Sequence, residues 1–132
     1  MEQIPLELIS NFLSLIILIM IFVKYYQYKK KLEVLKKLDE LKTSKKLTSE
    51  DKSFIKLNLK DYQILIVKDE QRLKLVYPVF ILIAGILLAF LDFKEALIHL
   101  NVVIVAYILL QINKIHNKNF VSFLTELNKD LD

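Results

Sequence analysis

The chain has 132 residues, enough for one small domain, with 55% apolar and 26% charged residues and a formal charge of +4. One glycine, no cysteine, no tryptophan and two histidines exclude phosphate-cradling glycine loops, dinucleotide fingerprints, disulfide frames, thiolate metal sites and thiol catalysis. Leucine and isoleucine together number 43, far too apolar a composition for a disordered chain.

Sixteen uncharged residues lie between Glu7 and Lys24. With Ile4, Pro5 and Leu6 the apolar stretch reaches about 20 residues, the length that spans hydrocarbon. It resembles a secretory signal only loosely, because Met1-Glu2-Gln3 carries no basic residue and no A-x-A site follows. It is expected to be an uncleaved anchor, with residues 1–24 as the first transmembrane helix. Glu7, Ser10, Asn11 and Ser14 follow i, i+3, i+4, i+7 spacing, a polar stripe down one half of this span. Lys24 with Tyr25, Tyr26 and Tyr28 reads as a basic and aromatic anchor at its end.

Residues 25–74 are too long for a bare loop and are expected to form a cytoplasmic helical hairpin. Leu32, Leu35, Leu38 and Leu41 give an apolar stripe with a charged opposite face, on a helix continuing from the first span. Thr43-Ser44-Lys45-Lys46 should interrupt it. Thr48-Ser49-Glu50-Asp51 has capping-box spacing, with Asp in the last position, and should start a second helix. Residues 54–67 allow two readings. Partial alternation and the Ile64–Val67 run suit a strand hairpin turning at Lys60-Asp61. Ile55, Leu59, Tyr62, Ile66 and Leu73 instead share one helical face, and this helix, broken or not near Lys60-Asp61, is the favoured reading.

A second apolar run covers Leu75 to Leu91, rising roughly 26 Å as a helix. Pro78 lies in its first turns, where it can kink the helix. Gly85 and Ala89 form a small-xxx-small pair that marks a helix-packing face. A third run covers 96–113 and carries His99, Asn101 and Gln111, so 75–113 reads as a transmembrane helical hairpin. His99 and Asn101 complete an intramembrane polar cluster with the stripe of the first span. Such groups avoid lipid and should face protein or water. Interhelical hydrogen bonding is the simplest role for this cluster, with partner docking or ion handling as functional ones.

Residues 114–132 read as an amphipathic cytoplasmic tail. Phe120, Phe123, Leu124, Leu127 and Leu131 share one face, and Asn117 or Asn119 is a candidate cap. Residues 24–74 hold fifteen Lys+Arg against eight Asp+Glu, while no basic residue precedes Leu8. The positive-inside rule then places the N-terminus outside and the C-terminus in the cytoplasm. Eighteen lysines against one arginine fit the composition of an AT-rich bacterial genome, hence an inner-membrane location.

The fold expected is an all-α integral membrane protein with three transmembrane helices, a helical hairpin between the first two, and an amphipathic C-terminal helix. Glu7, Asp92, Glu95 and His99 match no catalytic set, and one histidine with scattered carboxylates is too few ligands for a metal. No cofactor, metal or nucleic-acid partner is expected. The expected function is non-enzymatic: an accessory protein, assembly factor or chaperone-like stabiliser that binds membrane lipid and another integral membrane protein. The alternative is a self-oligomerising pore former. A small three-span chain with a basic cytoplasmic segment resembles holins in outline, but its insert of about fifty residues departs from their short loops.

Overall fold

The computed structural model describes residues 5–129 and 131. Three helices account for nearly all of them: α1 (Leu6–Thr43), α2 (Ser49–Phe90) and α3 (Phe93–Asn128). No strand occurs among the described residues. Each helix is long and apolar enough to cross a membrane, which points to a multi-pass membrane protein.

The helices are longer than the apolar runs that seed them. At 1.5 Å per residue, the 38 residues of α1 extend about 57 Å, against the ~30 Å of a hydrocarbon core. The strand hairpin considered for 54–67 is not formed, nor is a break at Lys60-Asp61: α2 runs without interruption and passes through Pro78. The local reason lies in the side chains. Ile55 and Tyr62 are buried seven residues apart on one helical face, which a pleated strand would split. Nor is the tail a separate capped helix. α3 continues through Asn117 and Asn119 to Asn128, because 96–128 contains no Gly or Pro to stop it.

Both stop signals around residue 45 are formed. Lys46 N–H bonds the Leu41 carbonyl (2.8 Å) and Lys45 N–H the Lys42 carbonyl (3.1 Å), the two bonds of a Schellman cap. Thr48 N–H then donates to the Asp51 carboxylate and Asp51 N–H to the Thr48 hydroxyl, both at 3.1 Å, closing a reciprocal capping box. Lys45 occupies the left-handed position at φ 60°, where a Cβ is unfavourable. Lys45→Gly should therefore raise stability by about 0.5–1 kcal/mol. Unfolding in detergent, followed by helical circular dichroism, checks this, and an unchanged or lowered midpoint contradicts it.

The chain divides into two compact units, each fed by all three helices. One comprises the segment ending at Val23 with Gln71–Ile112. Its interior is sparse: Ser10, Ser14, Leu73, Ala96 and Val105 are buried, while most large apolar side chains face outward. Three of those five are small, which lets helices approach closely where lipid removes the hydrophobic drive to associate. Tyr77 and Tyr107 tilt against each other with centroids 6.2 Å apart, and Gln111 donates to the Tyr107 hydroxyl at 2.8 Å.

The other unit comprises Lys24–Glu70 with the segment from Asn113 onward. Here a conventional core forms from Leu35 and Leu38 of α1, Ile55 and Tyr62 of α2, and Phe120, Leu124 and Leu127 of α3, joined by Leu131. Leu32 and Leu41 are only half-buried. Leucines every three residues drift about 60° per step around a helix, so four of them fan over half its circumference and only the middle pair faces inward. Lys42 reaches across to the Glu126 (3.0 Å) and Lys129 (2.5 Å) carbonyls, supplying donors to the open end of α3.

Candidate functional site

The polar stripe of the first span splits in two. Ser10 and Ser14 are buried, whereas Glu7 and Asn11 are exposed. Ser10 Oγ and His99 Nδ1 are hydrogen-bonded at 2.5 Å, joining α1 to α3. Asn101 lies on the exposed side of α3, so it does not enter the cluster expected for it. Geometry explains the selection. Ser10 and Ser14 are one turn apart, whereas Asn11 is rotated about 100° from Ser10 and Asn101 about 200° from His99. The expected six-residue cluster therefore reduces, in contacts, to one serine–histidine pair with a second serine beneath.

Ser14 Oγ is buried without a hydrogen-bond partner among the described residues. The two serines should respond in opposite ways. Ser10→Ala removes an interhelical bond worth about 0.6–1 kcal/mol in such settings. Ser14→Ala removes an unsatisfied hydroxyl and should be neutral or stabilising by up to about 1 kcal/mol. Thermal midpoints of the two variants in the same detergent decide it, and equal losses would refute the assignment.

Gly85 and Ala89 are both exposed, and a Cβ built on Gly85 would meet nothing within 4 Å. The packing face expected there makes no close helix contact among the described residues. No group of three or more His, Cys, Asp or Glu converges among the described residues.

In the second unit the sequence pattern conceals a polar layer. Asp69 is buried and accepts from Asn117 Nδ2 at 2.7 Å and Asn113 Nδ2 at 3.4 Å. His116 stacks on Tyr28, with centroids 4.0 Å apart and planes at 17°, and Tyr28 also tilts against Phe120. Asn119, a candidate cap by sequence, donates to the Tyr28 hydroxyl at 3.2 Å. Lys31 donates to the Tyr62 hydroxyl and sits 4.6 Å from that ring's centre. Spacing did signal this arrangement: Tyr28, Lys31, Leu35, Leu38 and Lys42 follow i, i+3, i+7, i+10, i+14, so both lysines lie on the core face.

Burial beneath Tyr28, and secondarily the nearby Lys24 charge, hold the His116 imidazole below its ordinary value of about 6.5. The folded state then binds this proton less readily than the unfolded one. Its contribution to stability is complete above about pH 7.5 and declines as pH falls through about 6.5 toward the lowered folded value. His116→Gln should flatten this part of the stability curve between about pH 7.5 and 5.5, measured as the difference from the parent protein. A parent curve that rises on acidification relative to the variant would reverse the sign.

No family model, curated protein or solved structure matches this chain.

Proposed function

We propose that this protein is a non-enzymatic accessory subunit, assembly factor or chaperone-like stabiliser that docks on another integral membrane protein. On this reading it lies in a bacterial inner membrane with its N-terminus outside, and residues 24–74 form a helical hairpin in the cytoplasm beside the C-terminal helix.

The observation that carries the reading is an apolar stripe where lipid cannot cover it. Leu57 is 62% exposed and Ile64 47%. They are two turns apart on the side of α2 opposite Ile55 and Tyr62, with Phe54 and Leu65 exposed beside them. Lys60 and Asp61 fill the turn between Leu57 and Ile64, and Lys68 follows one turn beyond, charges that keep this face out of hydrocarbon. The described residues cover Ile55 and Tyr62 and leave Leu57 and Ile64 open. Apolar anchors at i and i+7 are the pattern by which helices enter a partner's groove. The open Gly85–Ala89 face offers a second contact at membrane depth.

Site-specific photo-crosslinking in cells tests the reading. Probes at Leu57 and at Gly85 should each give one discrete adduct whose mass is not a multiple of 15.6 kDa. The Leu57 adduct should disappear with Ile64→Lys. Adducts at whole multiples of the chain mass would overturn the accessory reading in favour of a self-assembling pore, and no adduct at either position would also overturn it.

A further inference from the structure

Within the second unit, a cavity of about 520 Å³ opens between the three helices. Lys24, Lys30, Lys31 and His116 line it, with the amides of Gln27 and Asn113 among them. No carboxylate lines it. The Asp69 carboxylate is buried and bonded by the Asn113 and Asn117 amides. Lys24, Lys30 and Lys31 bring positive charge to its walls, with the Lys31 ammonium on the Tyr62 hydroxyl and the Lys30 ammonium over the Tyr26 ring, and net positive charge around a concavity favours an anion. Lysine offers a point charge with rotatable donors, and amide N–H groups add directional bonds, a donor set suited to phosphate oxygens.

Position identifies the source of the phosphate. Lys24 is the first charge after the sixteen uncharged residues of the first apolar run, and Asn113 closes the third. Both mark the level where hydrocarbon gives way to headgroups. The walls also fit that level: Tyr28 and Tyr62 contribute amphipathic rings beside the lysines. Basic pockets between helices at this depth are where anionic headgroups are held.

We propose that this cavity binds the phosphate of an anionic phospholipid headgroup, with Lys24, Lys30 and Lys31 as the charge partners and His116 at its wall. Binding also bears on His116: burial first and the Lys24 charge second disfavour its protonation, and a negative phosphate beside the ring acts against both. The proposal requires the membrane reading but not the identity of any partner protein.

The full-length protein should be reconstituted in nanodiscs of phosphatidylcholine with increasing phosphatidylglycerol, and melting followed by helical circular dichroism. Phosphatidylglycerol should raise the midpoint in a saturable way. Lys24→Gln with Lys31→Gln should weaken apparent lipid affinity by about fivefold per lysine, roughly twenty-fivefold together. Lys46→Gln with Lys56→Gln, the same charge change outside the cavity, should leave it within about twofold. Lys24→Arg with Lys31→Arg keeps the charge and should retain binding even if the glutamine pair destabilises the fold. Equal losses from both glutamine pairs would mean diffuse surface attraction and overturn the site. Saturation by inorganic phosphate in pure phosphatidylcholine at equal effectiveness would assign the cavity to a soluble anion and overturn the lipid assignment. A nitrogen-15 titration of the His116 ring gives a second readout. Its pKa should rise when phosphatidylglycerol is present, and an unchanged value would overturn occupancy beside Lys24.

Discussion

Leu124→Ala is expected to destabilise the second unit by about 2–5 kcal/mol, a large share of the 5–15 kcal/mol typical of a domain. Leu124 has no exposed surface and belongs to one buried cluster with Leu35 of α1, Tyr62 of α2 and Phe120 of α3, so all three helices are affected together. The aromatic rings and the Lys31–Tyr62 bond limit how far the walls can collapse into the gap. Cost at a large-to-small site depends on that collapse, which puts this position toward the upper part of the range. Leu57→Ala, the same change at a 62% exposed site on α2, should cost under about 0.5 kcal/mol in the purified protein. Hydrogen exchange in detergent resolves the two. Amides around Leu35, Ile55 and Leu124 should lose protection in the first variant and keep it in the second. Comparable losses would mean that the helices stand on their intrinsic propensity rather than on this core.

That contrast between Leu124 and Leu57 also bounds what a sequence of this kind discloses. The three long helices were legible because apolar runs of span length and the Ile55–Tyr62 periodicity are one-dimensional signals. So was the stop at Thr43–Lys46, where capping needs only nearby residues. The continuity of α2 and α3 was less legible. Lys60-Asp61 and Asn117 have modest helix propensity, and whether such residues end a helix depends on partners elsewhere in the chain. Asn117 finds one in Asp69, 48 residues away, and spends its amide there rather than on its own backbone.

The candidate sites follow the same division. A stripe of polar residues on the first span could be written down from spacing, but spacing says nothing about rotation against a neighbour. Ser10 meets His99 and Asn11 does not, a difference of about 100° about one axis. The lysines were harder still. Lys31 and Lys42 look like part of a solvated charged face, yet they lie on the Leu35–Leu38 side and turn their ammonium groups to Tyr62 and to the end of α3. Long stems let such residues cover apolar surface while their charge finds oxygen. Composition counts them as charge; their spacing from Tyr28 puts them on the core face, and packing shows which oxygen each ammonium group reaches.

The second large effect should come from Asp69→Ala, with a loss of about 3 kcal/mol. A buried carboxylate here receives the Asn117 amide at 2.7 Å and, less closely, that of Asn113 at 3.4 Å. Its removal leaves the buried Asn117 amide without its acceptor, at a cost of about 1–3 kcal/mol, and the half-buried Asn113 amide loses a weaker bond that adds little. Asp69→Asn should cost less, about 1–2 kcal/mol. Its amide oxygen can still accept from Asn117, but its NH2 group turned toward Asn113 offers a donor where an acceptor was. A double-mutant cycle with Asn117→Ala separates the pair from everything else Asp69 touches. If the short bond carries the effect, Asn117→Ala should cost much less in the Asp69→Ala background than in the parent, with a coupling of about 1–2 kcal/mol. Additive losses would mean that Asp69 acts through other neighbours, and that the α2–α3 register in this unit is held by Tyr62, Phe120 and Leu124 alone. The two outcomes differ in kind. A polar tie is satisfied at one rotation of α3 against α2 and broken at the others, whereas an apolar contact of the Phe120 type weakens gradually as a helix turns.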